Sequence, residues 1–264
     1  MDRASLIAAA RAAADAAAAE TVPRFRRGGA VEDKGGTEVR PDFDPVTEAD
    51  RAAEAAMRRV LSDRRPDDAV LGEEEARRPG TSGLEWVLDP IDGTRGFVCG
   101  TPVWGTLIAV GPEGGPPLYG IVDQPWTGER FEGGWGEATL TRRGEVWPIR
   151  CRRTIALEDA TVLTTFPEVG SDEEGAAFRR VADRCRLTRY GLDCYGYALV
   201  ASGTADLVVE AGLARYDIAA PMALVEAAGG VVTAWDGGPA EEGGRIVAAG
   251  CSAIHEAALR ALNP

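Results

Sequence analysis

Trp86-Val87-Leu88-Asp89-Pro90-Ile91-Asp92-Gly93-Thr94 is the stretch on which the reading of this chain turns. Trp86 to Leu88 form a short apolar run that reads as a buried strand, and carboxylates follow it directly. Asp-Pro and Asp-Gly pairs are common turn formers, so a plain turn is one reading of Asp89 to Thr94. Context supplies the other. A strand leads in, a turn holds Asp89 and Asp92 close together, and Gly93-Thr94 can open a helix whose free N–H groups point outward. Carboxylates bind hard cations and a helix start binds phosphate, while Mg²⁺ is usually held by a few carboxylates, waters and substrate phosphate.

The segment upstream repeats this arrangement. Ala69-Val70-Leu71 reads as a second short strand, running into Glu73-Glu74-Glu75, which either completes a metal cluster or forms a solvated loop. Two strands thus deliver carboxylates at their C-terminal ends, the edge of an α/β sheet where ligands usually sit. Further strands are expected at 106–110, 118–123, 129–132 and 146–149, separated by Gly/Pro turns in an antiparallel run. From about Thr154 strand and helix alternate: strand 161–165, helix 173–186, a helix from Asp193, strand 207–210, helix 217–228, strands 231–233 and 246–249, and a last helix from Ser252. The change of pattern predicts two subdomains, an α+β unit over 1–150 carrying most candidate ligands and an α/β unit over 151–264. Asp217 opens one of the later helices, where capping and metal binding are both open readings. Before all of these, Ala4–Glu20 reads as an N-terminal helix, since Arg11, Asp15 and Glu20 interrupt any targeting segment. Residues 26–44, rich in Gly, Pro and charge, read as a mobile loop, followed by a helix capped by Thr47 and running towards Ser62.

Composition excludes several classes. Acidic residues number 42 against 29 basic ones, and a net charge of −13 repels nucleic acid. An acidic protein that takes a small phosphorylated substrate needs a local positive feature, either a metal ion or a helix N-terminus. The five cysteines are odd in number, scattered and without a C-x-x-C pair, so they read as reduced thiols with no disulfide frame or zinc site. The single histidine, His255, falls in the last helix and removes any mechanism needing two histidines. No stretch approaches the ~20 apolar residues of a membrane span, so a cytoplasmic location is expected.

Taken together and in order, Asp44-Pro-Val-Thr-Glu-Ala-Asp50, Gly72-Glu-Glu74, Trp86 to Thr94, Tyr216-Asp-Ile-Ala-Ala220 and Glu226-Ala-Ala-Gly-Gly230 resemble the motifs of the inositol monophosphatase-like metal-dependent phosphatases. Within that family, the stretches Asp42 to Glu54, Trp104-Gly-Thr-Leu-Ile108, Asp123 to Phe131, Tyr190 to Tyr195 and Asp206 to Gly212 are most similar to histidinol-phosphatases of this fold. The resemblance implies an α/β chain folded as a five-layer αβαβα sandwich, acting as a homodimer in histidine biosynthesis. It implies Glu73, Asp89, Asp92, Asp217 and the Ile91 carbonyl as ligands of two or three Mg²⁺ ions, with Glu73 also catalytic. Asp50 and Thr94 match the pair that orients the attacking water, and the Gly93 and Thr94 N–H groups match a phosphate cradle. Such chemistry needs no histidine or cysteine nucleophile.

Gly191, Asp193 and Glu210 match positions that face the substrate alcohol. Acidic Asp193 and Glu210 suit the amine and imidazole cations of histidinol phosphate, while a helix cap and a strand end are their plainer readings. Inositol 1-phosphate and a 3'-phosphorylated nucleotide are the related substrates, and a catalytically silent metal-binding scaffold is the alternative from another class. Two departures flank the site: Arg40 stands where lysine is usual, and Glu75 replaces an aromatic residue after the paired glutamates. Both bear on loop behaviour and substrate preference. The resemblance also implies inhibition by lithium.

Overall fold

Strands that alternate apolar side chains between two faces need a cover on each face, and that requirement sorts this chain into layers. The computed structural model describes residues 2–28, 31–33, 45–166 and 168–264. Helix α1 (Arg3–Thr21) packs on α2 (Glu48–Arg64), and β1 (Val31–Asp33) pairs antiparallel with β2 (Pro45–Thr47). A seven-stranded sheet follows in chain order: β3 (Ala69–Gly72), β4 (Leu84–Asp92), β5 (Gly105–Pro112), β6 (Tyr119–Gln124), β7 (Glu129–Gly134), β8 (Glu137–Arg142) and β9 (Glu145–Pro148). Only the β3–β4 pair is parallel. The short helix α3 (Thr94–Cys99) interrupts the run after β4.

The second half forms a five-stranded mixed sheet from β10 (Thr161–Thr164), β11 (Leu187–Tyr190), β12 (Leu207–Leu213), β13 (Val231–Ala234) and β14 (Gly244–Ala249), in the order β11-β10-β12-β14-β13. Helices α4 (Asp172–Ala182), α5 (Asp193–Ala201), α6 (Arg215–Ala227) and α7 (Ser252–Leu262) lie between and outside these strands.

The cores follow the period of two. On one face of the first sheet Trp86, Leu88, Ile108 and Ile121 pack against Leu6, Ala10, Ala13 and Met57 of α1 and α2. On the other face Val87, Leu107, Ala109 and Val122 meet Tyr197, Ile218 and Leu224 of α5 and α6, together with Leu163, Val208 and Ile246 of the second sheet. The far face of that second sheet, with Val162, Val209 and Val247, packs on Phe178, Val181, Ile254 and Ala258 of α4 and α7. The order is helix pair, sheet, helix pair, sheet, helix pair, the five-layer αβαβα sandwich that the motifs implied. Alanines at 9, 10, 13, 14 and 17 are buried in α1, where small side chains let the helix lie close to its neighbours.

Some elements depart from expectation. The helix starting near residue 173 ends at Ala182, and Leu187–Tyr190 form β11 at the sheet edge, largely exposed and without the apolar run that marks a strand. Strand β8 also escaped, because its two apolar residues are set among Thr, Glu and Arg beside a Gly-rich turn. The expected loop over 26–44 contains the short strand β1; residues 29–30 and 34–44, including Arg40, Asp42 and Asp44, lie outside the described residues. Among the described residues no helix is long and apolar enough to cross a membrane.

The middle layer is held close by glycine. A Cβ placed on Gly120 of β6 would fall 2.5 Å from the Ala220 carbonyl oxygen and 2.8 Å from its Cα, so α6 rests on bare strand backbone. Gly120→Ala is expected to force the layers apart and destabilise the fold by ~1–3 kcal/mol; a lower midpoint in urea unfolding, with unchanged slope, is the measurement.

Candidate active site

Register and a missing donor create the site. Gly72 lies opposite Leu88 in the last pair of the parallel β3–β4 ladder, so Glu73 and Asp89, the next residue on each strand, stand side by side where that ladder ends. Pro90 cannot donate to the ladder, and the β4–β5 register shifts between Asp89 and Asp92. The freed backbone folds on itself: Ile91 N–H donates to Asp89 Oδ1 (3.0 Å), the Thr106 hydroxyl to the Pro90 carbonyl (2.8 Å), and the Thr94 hydroxyl to the Ile91 carbonyl (3.0 Å). Gly93, at φ +81°, then starts α3; a side chain there would be strained and would press on Asp193, 3.1 Å away.

The second half of the chain completes the arrangement. Asp217, in the first turn of α6, accepts from the Ala214 N–H at 2.6 Å. Asp92 accepts from the Cys194 N–H at 2.6 Å, tying the end of β4 to the start of α5. As a result one carboxylate oxygen from each of Asp89, Asp92 and Asp217 lies within 4.8 Å of the other two. These residues, with Glu73, Ile91, Gly93, Thr94 and Asp193, line a cavity of about 190 Å³. Arg95, Phe166 and Tyr216 form more of its wall, the Arg95 guanidinium carbon standing 4.9 Å from the Phe166 ring centroid.

A smaller cavity of about 40 Å³ shares Asp92, Asp193 and Asp217 with the first and adds Thr165, Tyr197 and Glu210. Glu210 is buried there. It accepts from the Thr165 N–H (3.0 Å), the Thr165 hydroxyl and the Tyr197 hydroxyl (2.8 Å). Asp50 is buried in the first turn of α2, held by the Thr47 N–H (2.9 Å) and hydroxyl (2.5 Å). Asp193 stands at the first position of α5, after Leu192 in the capping position, so it does not cap that helix. Gly191 is exposed at the end of β11 with φ +74°, lining neither cavity; its N–H donates to the Thr164 and Thr165 carbonyls and sets the turn into α5.

Arg95, Thr165, Phe166 and Tyr197 were not singled out from sequence. Thr165 and Phe166 follow β10 at its C-terminal end, so the sheet-edge rule that flagged Glu73 and Asp89 applies to them too.

Electrostatics explains what this arrangement requires. Burial pushes the Asp89 carboxyl well above its ordinary range, and Glu73, Asp92, Asp217 and Asp50 push it the same way. Desolvation also raises Asp92 well above that range, with Asp193 and Asp217 adding to it and the Cys194 N–H opposing. Crowded, partly desolvated carboxylates with oxygen-only donors fit a hard divalent cation, which relieves the repulsion they impose on one another.

Residues 2–264 match the sequence model of the inositol monophosphatase family. The chain belongs to that family. It is 40% identical to the chloroplastic bifunctional phosphatase IMPL2 of Arabidopsis thaliana over 84% of this chain and 66% of that protein. It is 38% identical to the histidinol-phosphatase of Streptomyces coelicolor, over 95% of this chain and 94% of that one. Among solved structures, an inositol monophosphatase from Zymomonas mobilis superposes with a TM-score of 0.84 at 39% identity, covering 98% and 97% of the two chains. This chain is therefore a phosphomonoester hydrolase of a metal-dependent family that acts on small phosphorylated substrates.

The raised carboxyls make a test of metal removal. Asp89 and Asp92 hold a proton more tightly folded than unfolded, so the metal-free fold loses stability as pH rises above the ordinary aspartate value of about 4. Asp92→Asn removes one of the repelling charges. In EDTA the variant is expected to melt above the parent at pH 8, with the gap narrowing towards pH 5; excess Mg²⁺ should reverse the order, as followed by differential scanning fluorimetry.

Proposed function

We propose that this chain hydrolyses histidinol phosphate to histidinol and phosphate with Mg²⁺, as a cytoplasmic homodimer, in the manner the family resemblance implies. The observation that carries the substrate assignment is the buried Glu210 beside Asp193, in a small acidic cavity that opens from the carboxylate cluster. Glu73, Asp89, Asp92, Asp217 and the Ile91 carbonyl would hold two or three Mg²⁺ ions. The carbonyl oxygen has two lone pairs, so the bond from the Thr94 hydroxyl leaves one for a cation. When bound, the metal supplies positive charge to the phosphate and a lowered pKa for water.

The chain's own groups do the rest. The Thr94 hydroxyl donates its hydrogen bond to the Ile91 carbonyl oxygen, so its own oxygen remains an acceptor for a water. Asp50, whose Oδ2 accepts from both the N–H and the hydroxyl of Thr47, is the second acceptor, and together they aim the water lone pair at phosphorus. The N–H groups of Gly93 and Thr94 at the start of α3 hold the phosphate. The water oxygen bonds to phosphorus as the bond to the alcohol oxygen breaks; one of the water's two protons ends on the leaving alcohol oxygen and the other stays on the phosphate.

Substrate choice falls to the smaller cavity. A carboxylate at Glu210, already oriented by Tyr197 and Thr165, suits an amine or imidazole cation through a charge-assisted hydrogen bond. The identity to the Streptomyces coelicolor histidinol-phosphatase supports this reading. The Zymomonas mobilis structure favours inositol 1-phosphate as the second reading.

A panel of phosphomonoesters with Mg²⁺ decides between them: kcat/KM for histidinol phosphate is expected to exceed that for inositol 1-phosphate, and equal or reversed values would sink the first assignment. Glu210→Gln is expected to lower kcat/KM for histidinol phosphate by roughly 10- to 100-fold, the worth of one hydrogen bond to a charged group, while hydrolysis of the uncharged-alcohol ester glycerol 2-phosphate falls less.

A further inference from the structure

Helix α2 carries a second buried carboxylate one turn beyond Asp50. Glu54 is 0% exposed, and the helical repeat puts it on the same face as Asp50. An ionised carboxylate that deep needs its lone pairs filled. Its partners are all accounted for: Oε2 accepts from the Glu74 N–H at 2.7 Å, while Oε1 accepts from the Glu75 N–H at 3.0 Å and from Arg58 Nε at 2.7 Å. The two amides belong to the turn that leaves β3, immediately after Glu73.

Arg58 closes the other side of that turn. Its second guanidinium nitrogen donates to the Glu75 carbonyl at 2.9 Å, and its Nε lies 3.6 Å from the Glu75 carboxylate. The Glu54–Arg58 pair, four residues apart on the helix, therefore grips the turn by two N–H groups and one carbonyl. The sequence makes room for this grip at Gly72, where any Cβ would overlap the Glu54 carboxylate. With the backbone at 74 and 75 bonded to the helix, Glu73 is the residue of this turn that lines the cavity.

We infer that Glu54 is a positioning residue for Glu73: it holds the turn after β3 in the one backbone shape that directs Glu73 at the Asp89 cluster, and so sets metal affinity without touching the metal. This rests on the reading of Glu73 as a metal ligand. Buried partners that orient a ligand from behind commonly govern affinity. The role also explains why a carboxylate is used. A Gln at 54 keeps the shape, but its NH₂ group would face either the Glu74 N–H or the Arg58–Glu75 donor pair, and a donor against a donor opens the turn.

The test measures metal binding directly, by calorimetric titration of the full-length protein with Mn²⁺, in a double-mutant cycle with Glu73→Gln. Glu54→Gln is expected to weaken Mn²⁺ binding ~10- to 100-fold in the parent and to add nothing in the Glu73→Gln background, where there is no ligand left to aim. Equal weakening in both backgrounds, or none in the parent, overturns the positioning role alone. If Glu73→Gln by itself leaves Mn²⁺ binding intact, the ligand reading of Glu73 fails and the positioning role falls with it. Should Glu54→Gln not fold, as judged by circular dichroism, Arg58→Gln, which leaves the Glu54 carboxylate and its two amide partners in place, loosens the same turn at the Glu75 carbonyl and must show the same dependence on Glu73. Gly72→Ala, which displaces the Glu54 carboxylate and removes no hydrogen-bonding side chain, is expected to reproduce the weakening.

Discussion

Buried like charges repel, and Asp89, Asp92 and Asp217 are held within 4.8 Å of one another, oxygen to oxygen, with Glu73 and Asp50 close enough to add to the effect. A chain left to itself would spread such groups into water. Several elements must therefore combine to hold them. Asp50, Thr94, Asp193 and Asp217 sit in the first turns of α2, α3, α5 and α6, where the unpaired N–H groups carry partial positive charge. The Ala214 and Cys194 N–H groups bond directly to Asp217 and Asp92, so backbone donors take up part of the charge before any cation arrives.

The layering serves the same end. Asp89 and Asp92 come from the first sheet, and Asp217 from the helix between the sheets. Their spacing is thus set by how closely α6 rests on β6 and β7. Gly120 and Gly133 make that approach short, each meeting α6 backbone with no side chain between. A shared apolar core, from Val87 and Val122 through Ile218 and Leu224 to Val208 and Ile246, locks the two sheets to the helices that separate them. Because packed interiors yield little to strain, a site built across that core inherits its rigidity.

This division explains which parts of the molecule could be read in advance. The segment from Trp86 to Thr94 carries its whole message locally: an apolar strand, a proline that breaks the ladder, two aspartates and a glycine with positive φ. Strands β4 to β6 were legible because each is a short apolar run bounded by Gly and Pro turns. Edge strand β11 was not, since Leu187, Arg189 and Tyr190 face water and obey no pattern. Phe166 and Tyr197 join the cavities through tertiary placement, which no local pattern reports. In sequence Asp217 reads as a cap opening its helix, but Ala214 takes the capping position and Asp217, third in α6, reaches back to bond the Ala214 N–H; the same carboxyl also joins the cluster. Capping and clustering were offered as rivals, yet two carboxylate oxygens allow both.

The same economy separates the two cavities. The larger one is lined by groups whose geometry follows from β3, β4 and α6, elements fixed by the main cores. The smaller one depends on Thr165, Tyr197 and Glu210, three side chains joined to one another by hydrogen bonds at the C-terminal end of the second sheet. Thr165 and Glu210 line the smaller cavity and not the larger one, whereas Tyr197 also belongs to the core shared by the two sheets. Relatives named histidinol-phosphatase and inositol monophosphatase both align over most of this chain, so the proposed division gives the larger cavity to the phosphate they have in common and the smaller one to the alcohol in which they differ.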